Sequence, residues 1–253
     1  MNEIIAVFFF LFGLIFGSFY NVVGLRVPKN QSIVYPNSHC TKCKHELAWF
    51  ELIPVLSYLF LRGKCRKCGL KISPIYPIIE ALTGFLFAFS YVMFGWSLEL
   101  IIAILFISLL VMITVSDLAY MLIPDKILLF FLIPMAFLRF FITPLTPWWD
   151  AILGPVIGFA VLYLLAVVSK GGMGGGDIKL FFVIGIVLGL KATLMTLFLA
   201  SFFGSLFGIG QMLLNKFQKR TPVPFGPFIS LAAVICYFYT DDMINWYIQQ
   251  FLT

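Results

Sequence analysis

Apolar runs long enough to cross a membrane follow one another along almost the whole of this sequence. Eight such runs can be recognised, at residues 4–25, 74–95, 98–116, 126–143, 151–168, 178–190, 192–214 and 226–248. A helix needs about 20 apolar residues to cross the hydrocarbon core of a bilayer. Because 62% of the residues are hydrophobic and only 11% are charged, an ordinary soluble domain is excluded. The sequence predicts an all-α polytopic membrane protein with about eight transmembrane helices in a lipid bilayer.

The basic residues indicate which side of the membrane is cytoplasmic. Of the seventeen Lys and Arg residues, nine lie in residues 26–73, and six more lie in connections on the same side of an eight-helix arrangement. Only Arg139 and Lys191 fall on the other side. Because cytoplasmic loops are enriched in Lys and Arg, both termini are predicted to lie outside. The net charge of +6 follows from this topology, and we expect no nucleic-acid partner.

Two cysteine pairs mark the only sizeable segment outside the membrane. The four residues are Cys40, Cys43, Cys65 and Cys68. Two C-x-x-C pairs at this separation are typical of a zinc ribbon, in which four thiolates close a tetrahedron around a structural ion. Two disulfides are the alternative, but a reducing cytoplasm disfavours them. The predicted organisation is a first transmembrane helix at 1–28, a four-cysteine zinc-binding insert at 29–73 between helices 1 and 2, and a transmembrane core at 74–253.

Two aspartates are predicted at the same edge of the bilayer. Asp177 follows a glycine-rich segment that begins at Lys170 and has five glycines in six residues, while Asp117 ends the third apolar run. A flexible connector whose Asp caps the next helix is the simple explanation of Asp177. An acidic residue at a membrane edge is nevertheless a functional candidate, because it is costly there. Asp125 has a local explanation, since it precedes the helix predicted near Lys126 and can cap it.

Other residues have weaker claims to function. Glu80 lies about one turn inside its apolar run, where we expect a supporting role through pairing or hydrogen bonding. Gly63 and Lys64 place a cation beside an accessible backbone just before Cys65, although a solvated basic loop is the better explanation of the two residues from the sequence alone. The Gly-x-x-x-Gly pairs that begin at Gly13 and at Gly204 predict close helix packing.

Paired carboxylates favour two kinds of chemistry. In an aspartyl protease, one carboxylate takes a proton from water while the other, protonated, polarises the scissile carbonyl. A proton-coupled transporter also uses paired acids, but it is expected to place them near the midplane, often with internal repeats, and no repeat is visible here. A purely structural platform with a zinc module would leave both aspartates unexplained. Signatures of P-loops, of zinc proteases and of serine hydrolases are missing from the sequence.

The chain resembles the type IV prepilin leader peptidase/N-methyltransferase family over nearly its whole length. The motifs that carry the resemblance are Gly17-Ser18-Phe19-x-Asn21-Val22-Val23 with Arg26-x-Pro28, the two cysteine pairs, Tyr76-Pro77-x-x-Glu80, Asp117 with Ile123-Pro124-Asp125, Gly174-x-Gly176-Asp177-x-Lys179, and Pro224-Phe225-Gly226-Pro227. The Gly-x-Gly-Asp motif is shared more widely with intramembrane aspartyl proteases.

This resemblance implies an activity and a location. Asp117 and Asp177 would be the catalytic aspartates, with the supporting residues Gly174, Gly176, Lys179, Asp125 and Glu80. The substrates would be prepilins or pseudopilins, cut at the cytoplasmic face of the bacterial inner membrane. The family's second activity methylates the new amino terminus with S-adenosylmethionine and is associated with the cysteine-bearing region, where Gly63 and Lys64 are the candidates for binding this cofactor.

Overall fold

The computed structural model describes residues 2–169, 172–213 and 223–251. Lys170 and Gly171 of the glycine-rich segment therefore lie outside the described residues, as do residues 214–222, which contain three of the basic residues used to predict the topology. By its internal contacts the chain divides into two compact units, residues 1–115 and residues 116–253.

Helices make up most of the described structure. The α-helices are α1 (Asn2–Arg26), α2 (Leu56–Phe60), α3 (Ile75–Phe94), α4 (Leu98–Tyr120), α5 (Asp125–Phe137), α6 (Asp150–Val168), α7 (Gly175–Leu213) and α8 (Gly226–Phe251). Among the described residues, six of them are long and apolar enough to cross a membrane: α1, α3, α4, α6, α7 and α8. The predicted all-α membrane fold is confirmed.

Two local features account for the difference between six long helices and eight predicted runs. Helix α7 contains 39 residues and covers both 178–190 and 192–214, but Gly189 interrupts it with φ 77° and ψ −178°. At 1.5 Å per residue, 39 helical residues would extend about 58 Å, roughly twice the thickness of the hydrocarbon core. The run at 126–143 forms α5, which then continues as a π-helix over Leu138–Ile142, so neither piece alone has the length of a span. All eight apolar runs are therefore helical.

Small residues set the helix packing within each unit. A Cβ built on Gly13 would lie 2.7 Å from the Cα of Gly84, and one on Gly17 would lie 2.8 Å from the Cα of Glu80. The Gly-x-x-x-Gly pair of α1 thus packs directly on α3, as predicted. In the pair that begins at Gly204, a Cβ on Gly204 would lie 3.4 Å from the Phe225 ring, whereas a Cβ on Gly208 would meet no described atom within 4 Å, so only the first glycine lies at a packing contact.

The insert between α1 and α3 contains a short internal repeat that the sequence analysis did not recognise. Residues 38–47 and 63–72 have the same backbone hydrogen bonds, with Cys40 N–H donating to the His45 carbonyl and Cys65 N–H to the Leu70 carbonyl. In both copies the residue after the second cysteine has a positive φ, 57° at Lys44 and 69° at Gly69. Each copy is a tight turn that presents two thiols.

The comparison of the two copies predicts a stabilising substitution. A side chain at positive φ is strained, whereas glycine adopts this conformation freely, so Lys44→Gly should stabilise the first turn by about 0.5–1 kcal/mol. Hydrogen exchange of the amides at 38–47 should slow about two- to five-fold. Lys42→Gly removes the same charge without relieving strain and serves as the control; equal protection in both variants would contradict the explanation.

Candidate active site

Asp117 lies at the end of α4, against the first turn of another helix. The side chain is 6% exposed, and its Oδ2 accepts a hydrogen bond of 2.7 Å from the backbone N–H of Gly226, the first residue of α8. The sequence suggested no local partner for this carboxylate, since the carboxyl end of α4 disfavours an anion. The structure supplies the partner from α8, whose positive N-terminus favours a negative charge.

Asp177 occupies the first turn of α7. Its backbone N–H donates to the Gly174 carbonyl at 3.2 Å, and its carboxylate accepts a hydrogen bond from the backbone N–H of Gly174. The bond from the Gly174 N–H to the carboxylate is one half of a capping box, with the acidic residue at the third helical position. The capping explanation is therefore correct as far as local structure goes, but it leaves the rest of the carboxylate available for other interactions.

The two aspartates interact electrostatically within residues 116–253. Each carboxylate is held by a backbone N–H at a helix N-terminus, and the two side chains are near enough to interact electrostatically. Two carboxyl groups in such an arrangement share one proton, because both cannot ionise at little cost. This pair has the components for acid–base activation of a water molecule against a peptide carbonyl.

The glycines before Asp177 differ in what surrounds them. A Cβ on Gly176 would lie 2.8 Å from the Cβ of Ile123, so this glycine allows the start of α7 to pack on the segment after α4. A Cβ on Gly175 would meet no described atom within 4 Å, and Gly174 is exposed. As far as the described residues show, the backbone beside Asp177 is thus open on one side, where an extended peptide can approach it.

Asp125 and Lys179 form an ion pair between α5 and α7. The Lys179 Nζ donates to both carboxylate oxygens of Asp125, at 2.9 and 2.8 Å, and both side chains are more than half exposed. Asp125 makes no capping hydrogen bond at the start of α5, so the predicted cap is wrong. The two supporting residues are held together instead, in an exposed pair of the kind that adds little stability.

Glu80 is buried in α3, within the other compact unit. Its Oε2 accepts a hydrogen bond of 2.8 Å from the backbone N–H of Val55, and Ser18 of α1 provides a second hydrogen bond. The predicted hydrogen-bonding role is therefore visible. The structure connects α3 through this carboxylate to the insert that carries the cysteines.

Gly63 has a local structural explanation. Its φ is +65°, and a Cβ there would lie 2.8 Å from the ring of Tyr58, whose hydroxyl donates to the Ile72 carbonyl. Both features require glycine for the fold of the insert, without any ligand. Lys64 is exposed beside it. Their role in cofactor binding stays a prediction.

The four cysteines of the insert form one cluster that fits a metal ion. Their Sγ atoms all lie within 4.8 Å of one another, and the Cys40–Cys68 and Cys43–Cys65 separations are 3.7 and 3.9 Å. Four thiolates 2.3 Å from one tetrahedral ion lie about 3.8 Å apart, whereas a disulfide needs about 2 Å. All four are free thiols. Backbone N–H groups of Cys43 and Lys42 lower the pKa of Cys40 to about 6, which favours the thiolate that a metal requires.

The hydrogen bond from Gly226 to Asp117 gives a specific prediction. A Cβ at residue 226 would lie 2.8 Å from the Asp117 Oδ2, so Gly226→Ala must displace the carboxylate. We expect peptide cleavage to slow about 10- to 100-fold, because small misplacements of reacting groups are costly. Gly208→Ala, in open space on α7, is the matched control. Equal initial rates for the two variants, measured with purified proteins, would refute a role for this close approach.

Sequence reasoning missed Gly226 and Val55 as site residues. A signal for Gly226 was present, because the glycine belongs to the motif Pro224-Phe225-Gly226-Pro227 that carries the family resemblance, but the motif alone assigns no role to this residue. No sequence signal identifies Val55, whose backbone N–H alone contacts Glu80.

Known families and proteins match this chain over most of its length. The Type IV leader peptidase family matches residues 104–209, and the Bacterial Peptidase A24 N-terminal domain matches residues 11–94. A prepilin leader peptidase/N-methyltransferase from Bacillus subtilis is 46% identical over 243 residues, which are 96% of this chain and 98% of that protein. Proteins of the same name from Aeromonas salmonicida and Pseudomonas aeruginosa are 34% and 31% identical, over 96% and 94% of this chain and 94% and 92% of their own lengths. No solved structure matches.

These matches decide between the two classes of function that the paired aspartates left open. A proton-coupled transporter finds no support among these three relatives, which are each named prepilin leader peptidase/N-methyltransferase. Family matches on both sides of residue 100 agree with the helical membrane fold. The chain is a multi-pass membrane protein that belongs to the type IV leader peptidase family.

Proposed function

We propose that this chain is an intramembrane aspartyl endopeptidase that removes the short leader of prepilins or pseudopilins and then methylates the new amino terminus. The observation that carries this proposal is the electrostatic interaction of Asp177 with Asp117, together with the backbone N–H at a helix N-terminus that holds each carboxylate. The relatives' shared name, prepilin leader peptidase/N-methyltransferase, supports both the substrate and the second activity.

In this proposal the two aspartates share one proton around an attacking water. One carboxylate accepts a proton from the water, and the other donates its proton to the carbonyl oxygen of the scissile peptide bond. The resulting tetrahedral intermediate breaks the C–N bond, the amine of the mature pilin leaves with a proton, and the leader keeps a carboxylate. The open backbone at Gly174 and Gly175 gives an extended substrate access to the pair.

We place the reaction at the cytoplasmic face of the bacterial inner membrane. The basic residues support this orientation, because the connections that border Asp117 and Asp177 belong to the Lys- and Arg-rich side. Functionally, the chain would consist of an anchoring helix at 1–28, a metal-binding insert at 29–73 and a peptidase core at 74–253. Asp125 and Lys179 would hold α5 and α7 in place beside the pair.

The metal ion in the insert would be zinc, held by Cys40, Cys43, Cys65 and Cys68. Four thiolates leave no open coordination position, so its contribution is structural. A segment as small as 29–73 gains most of its folding energy from such an ion.

The methyl donor would be S-adenosylmethionine, which supplies a methyl group carried on sulfur when it is bound. Gly63 and Lys64 are the proposed contacts, although the fold of the insert already explains Gly63. Lys64→Ala should therefore weaken methylation and leave leader cleavage unchanged, which product analysis measures separately.

One experiment tests the two activities together. The detergent-purified chain is incubated with a prepilin and S-adenosylmethionine carrying a labelled methyl group, and the products are weighed by mass spectrometry. We expect loss of the leader followed by the gain of one labelled methyl group on the mature protein. An unchanged prepilin mass under conditions where a known relative cuts it would contradict the proposal.

A further inference from the structure

A buried polar cluster joins α1 and α3 in the unit formed by residues 1–115. Glu80 is 9% exposed and accepts hydrogen bonds from Val55 and Ser18. Asn21 lies one turn beyond Ser18 in α1 and is 4% exposed. Its Nδ2 donates a hydrogen bond of 3.3 Å to the Tyr76 carbonyl. The Asn21 Oδ1 is buried and has no donor among the described residues. The cluster thus combines a carboxylate with an unused acceptor, an arrangement that needs an explanation because buried polar atoms are usually paired.

An apolar groove of about 480 Å³ begins beside this cluster. One wall is α1 and the other is the segment after the first cysteine pair; the lining residues include Leu11, Leu14, Ile15, Ser18, Trp49 and Leu52. The α1 residues share one helix face, so the groove extends about 10 Å from Ser18 to Leu11. Ser18, at one end of the groove, hydrogen-bonds the Glu80 carboxylate, and the other lining residues are apolar.

The carboxylate at the end of the groove is held by an unusual turn. Val55 has φ 61° and ψ −50°, and the Leu56 N–H donates to the Pro54 carbonyl at 2.6 Å, which closes a three-residue γ-turn. A β-branched residue in this conformation costs about 1–3 kcal/mol. The turn directs the Val55 N–H at Glu80, and Pro54 and Leu56 line the groove. The position of the carboxylate is therefore fixed before any ligand arrives.

We propose that this groove binds the mature product of cleavage, with its new terminal ammonium at Glu80 and its apolar helix along α1. The inference rests on the proposed function, which produces a chain that begins with an ammonium and continues directly as an apolar helix. Charge complementarity favours this occupant: the ammonium has three donors, and the Glu80 carboxylate and the Asn21 Oδ1 are acceptors. The site would hold the amine for methyl transfer.

Methyl transfer at this position requires the terminal ammonium of the product to lose one proton. The ammonium gives a proton to the Glu80 carboxylate, and the neutral nitrogen then attacks the methyl carbon of S-adenosylmethionine. The new N–C bond forms as the C–S bond breaks, its electron pair stays on sulfur, and the donor leaves as a neutral thioether. The methylated product is again a cation, and Glu80 returns its proton to water.

Binding of the amine can be measured without turnover. The full-length chain in phosphatidylglycerol nanodiscs is titrated with two synthetic peptides of a mature pilin's N-terminal apolar helix, one with a free amine and one acetylated. We expect the free-amine peptide to bind at least about ten-fold more tightly than the acetylated peptide. Glu80→Gln should reduce this ratio of dissociation constants below about two-fold. Glu3→Gln, at the exposed start of α1, should leave the ratio unchanged.

The groove itself is tested by filling it. Leu14→Trp should weaken the binding of both peptides by a similar factor. Ile4→Trp, at an exposed position outside the groove, should leave their binding unchanged. A circular dichroism spectrum and a melting temperature like those of wild type show that Glu80→Gln is folded; if it is not folded, the wild-type ratio and Leu14→Trp still decide. A wild-type ratio near one, or a ratio unchanged by Glu80→Gln, overturns the proposal.

Two further outcomes separate this inference from its alternatives. If phosphatidylethanolamine in the nanodiscs abolishes peptide binding, the groove is a lipid headgroup site and the proposal is wrong. If the wild type cuts and methylates a prepilin but shows no preference for the free amine, the inference fails while the proposed function stands. An amine preference in a chain that neither cuts nor methylates would support the site and remove the function.

Discussion

Replacing either Asp117 or Asp177 with Asn should lower the rate of leader cleavage by at least about 10³-fold, with little effect on expression or on helix content. Asparagine fills the same space but can neither take a proton from water nor share one with its partner, and proton transfer of this kind contributes about 10²–10⁴-fold. Because the two groups act as one unit, the double variant should be no slower than the slower single variant. Initial rates with a purified prepilin measure all three.

Matched variants show whether this loss is specific to the pair. Asp125→Asn removes a carboxylate from the exposed pair with Lys179 and should keep part of the activity, since exposed ion pairs add little. Asp242→Asn, exposed on α8, should have no effect. A substantial rate in Asp117→Asn or in Asp177→Asn would remove the aspartyl mechanism.

Replacing Cys40 or Cys65 with Ser should remove the bound metal and affect methylation more than cleavage. The cluster holds its thiols close enough for one ion, and a bound ion would supply most of the folding energy of so small an insert. We expect metal content to fall from about one equivalent per chain to under about 0.1. Methylation should drop at least about ten-fold while cleavage falls only a few-fold, because the aspartates belong to the other compact unit.

The fifth cysteine provides the control for this prediction. Cys236 is 2% exposed in α8 and does not belong to the cluster. Cys236→Ser should keep both the metal, measured by mass spectrometry of the digested protein, and methylation. Full metal content and full methylation in Cys40→Ser would exclude the proposed metal site.

The sequence predicted the helical membrane fold and the cysteine cluster because both depend on strong local patterns. A run of apolar residues has few alternatives to a membrane helix, and two C-x-x-C pairs have few alternatives to a metal site. The helix break at Gly189 was less visible, since two adjacent runs can be two helices or one interrupted helix. The packing prediction at Gly208 has no support among the described residues for a similar reason: a Gly-x-x-x-Gly pair shows where a helix can approach another, not where one does.

The contacts that build the site were harder to predict, because they join distant parts of the chain through backbone atoms. Asp117 is bonded by the N–H of Gly226, 109 residues further along, and Glu80 by the N–H of Val55. Because almost every residue type carries a backbone N–H, composition and spacing cannot identify which N–H will bond a given carboxylate. For Asp125 a local explanation was wrong: its position after Pro124 favoured a helix cap, but its carboxylate forms an ion pair with Lys179 of α7.

Binding of a non-cleavable substrate analogue tests most directly whether Asp117 and Asp177 act together on a tetrahedral carbon. The analogue is a prepilin segment in which a hydroxyethylene unit replaces the scissile peptide bond, and its dissociation constant is compared with that of a segment whose bond is methylated on nitrogen and also cannot be cut. We expect wild type to bind the hydroxyl analogue at least about 100-fold more tightly than the methylated segment, as expected of a transition-state mimic. Asp117→Asn and Asp177→Asn should each lose this preference. Equal affinity for both segments in wild type, or a preference that survives in either variant, would contradict joint action of the two aspartates.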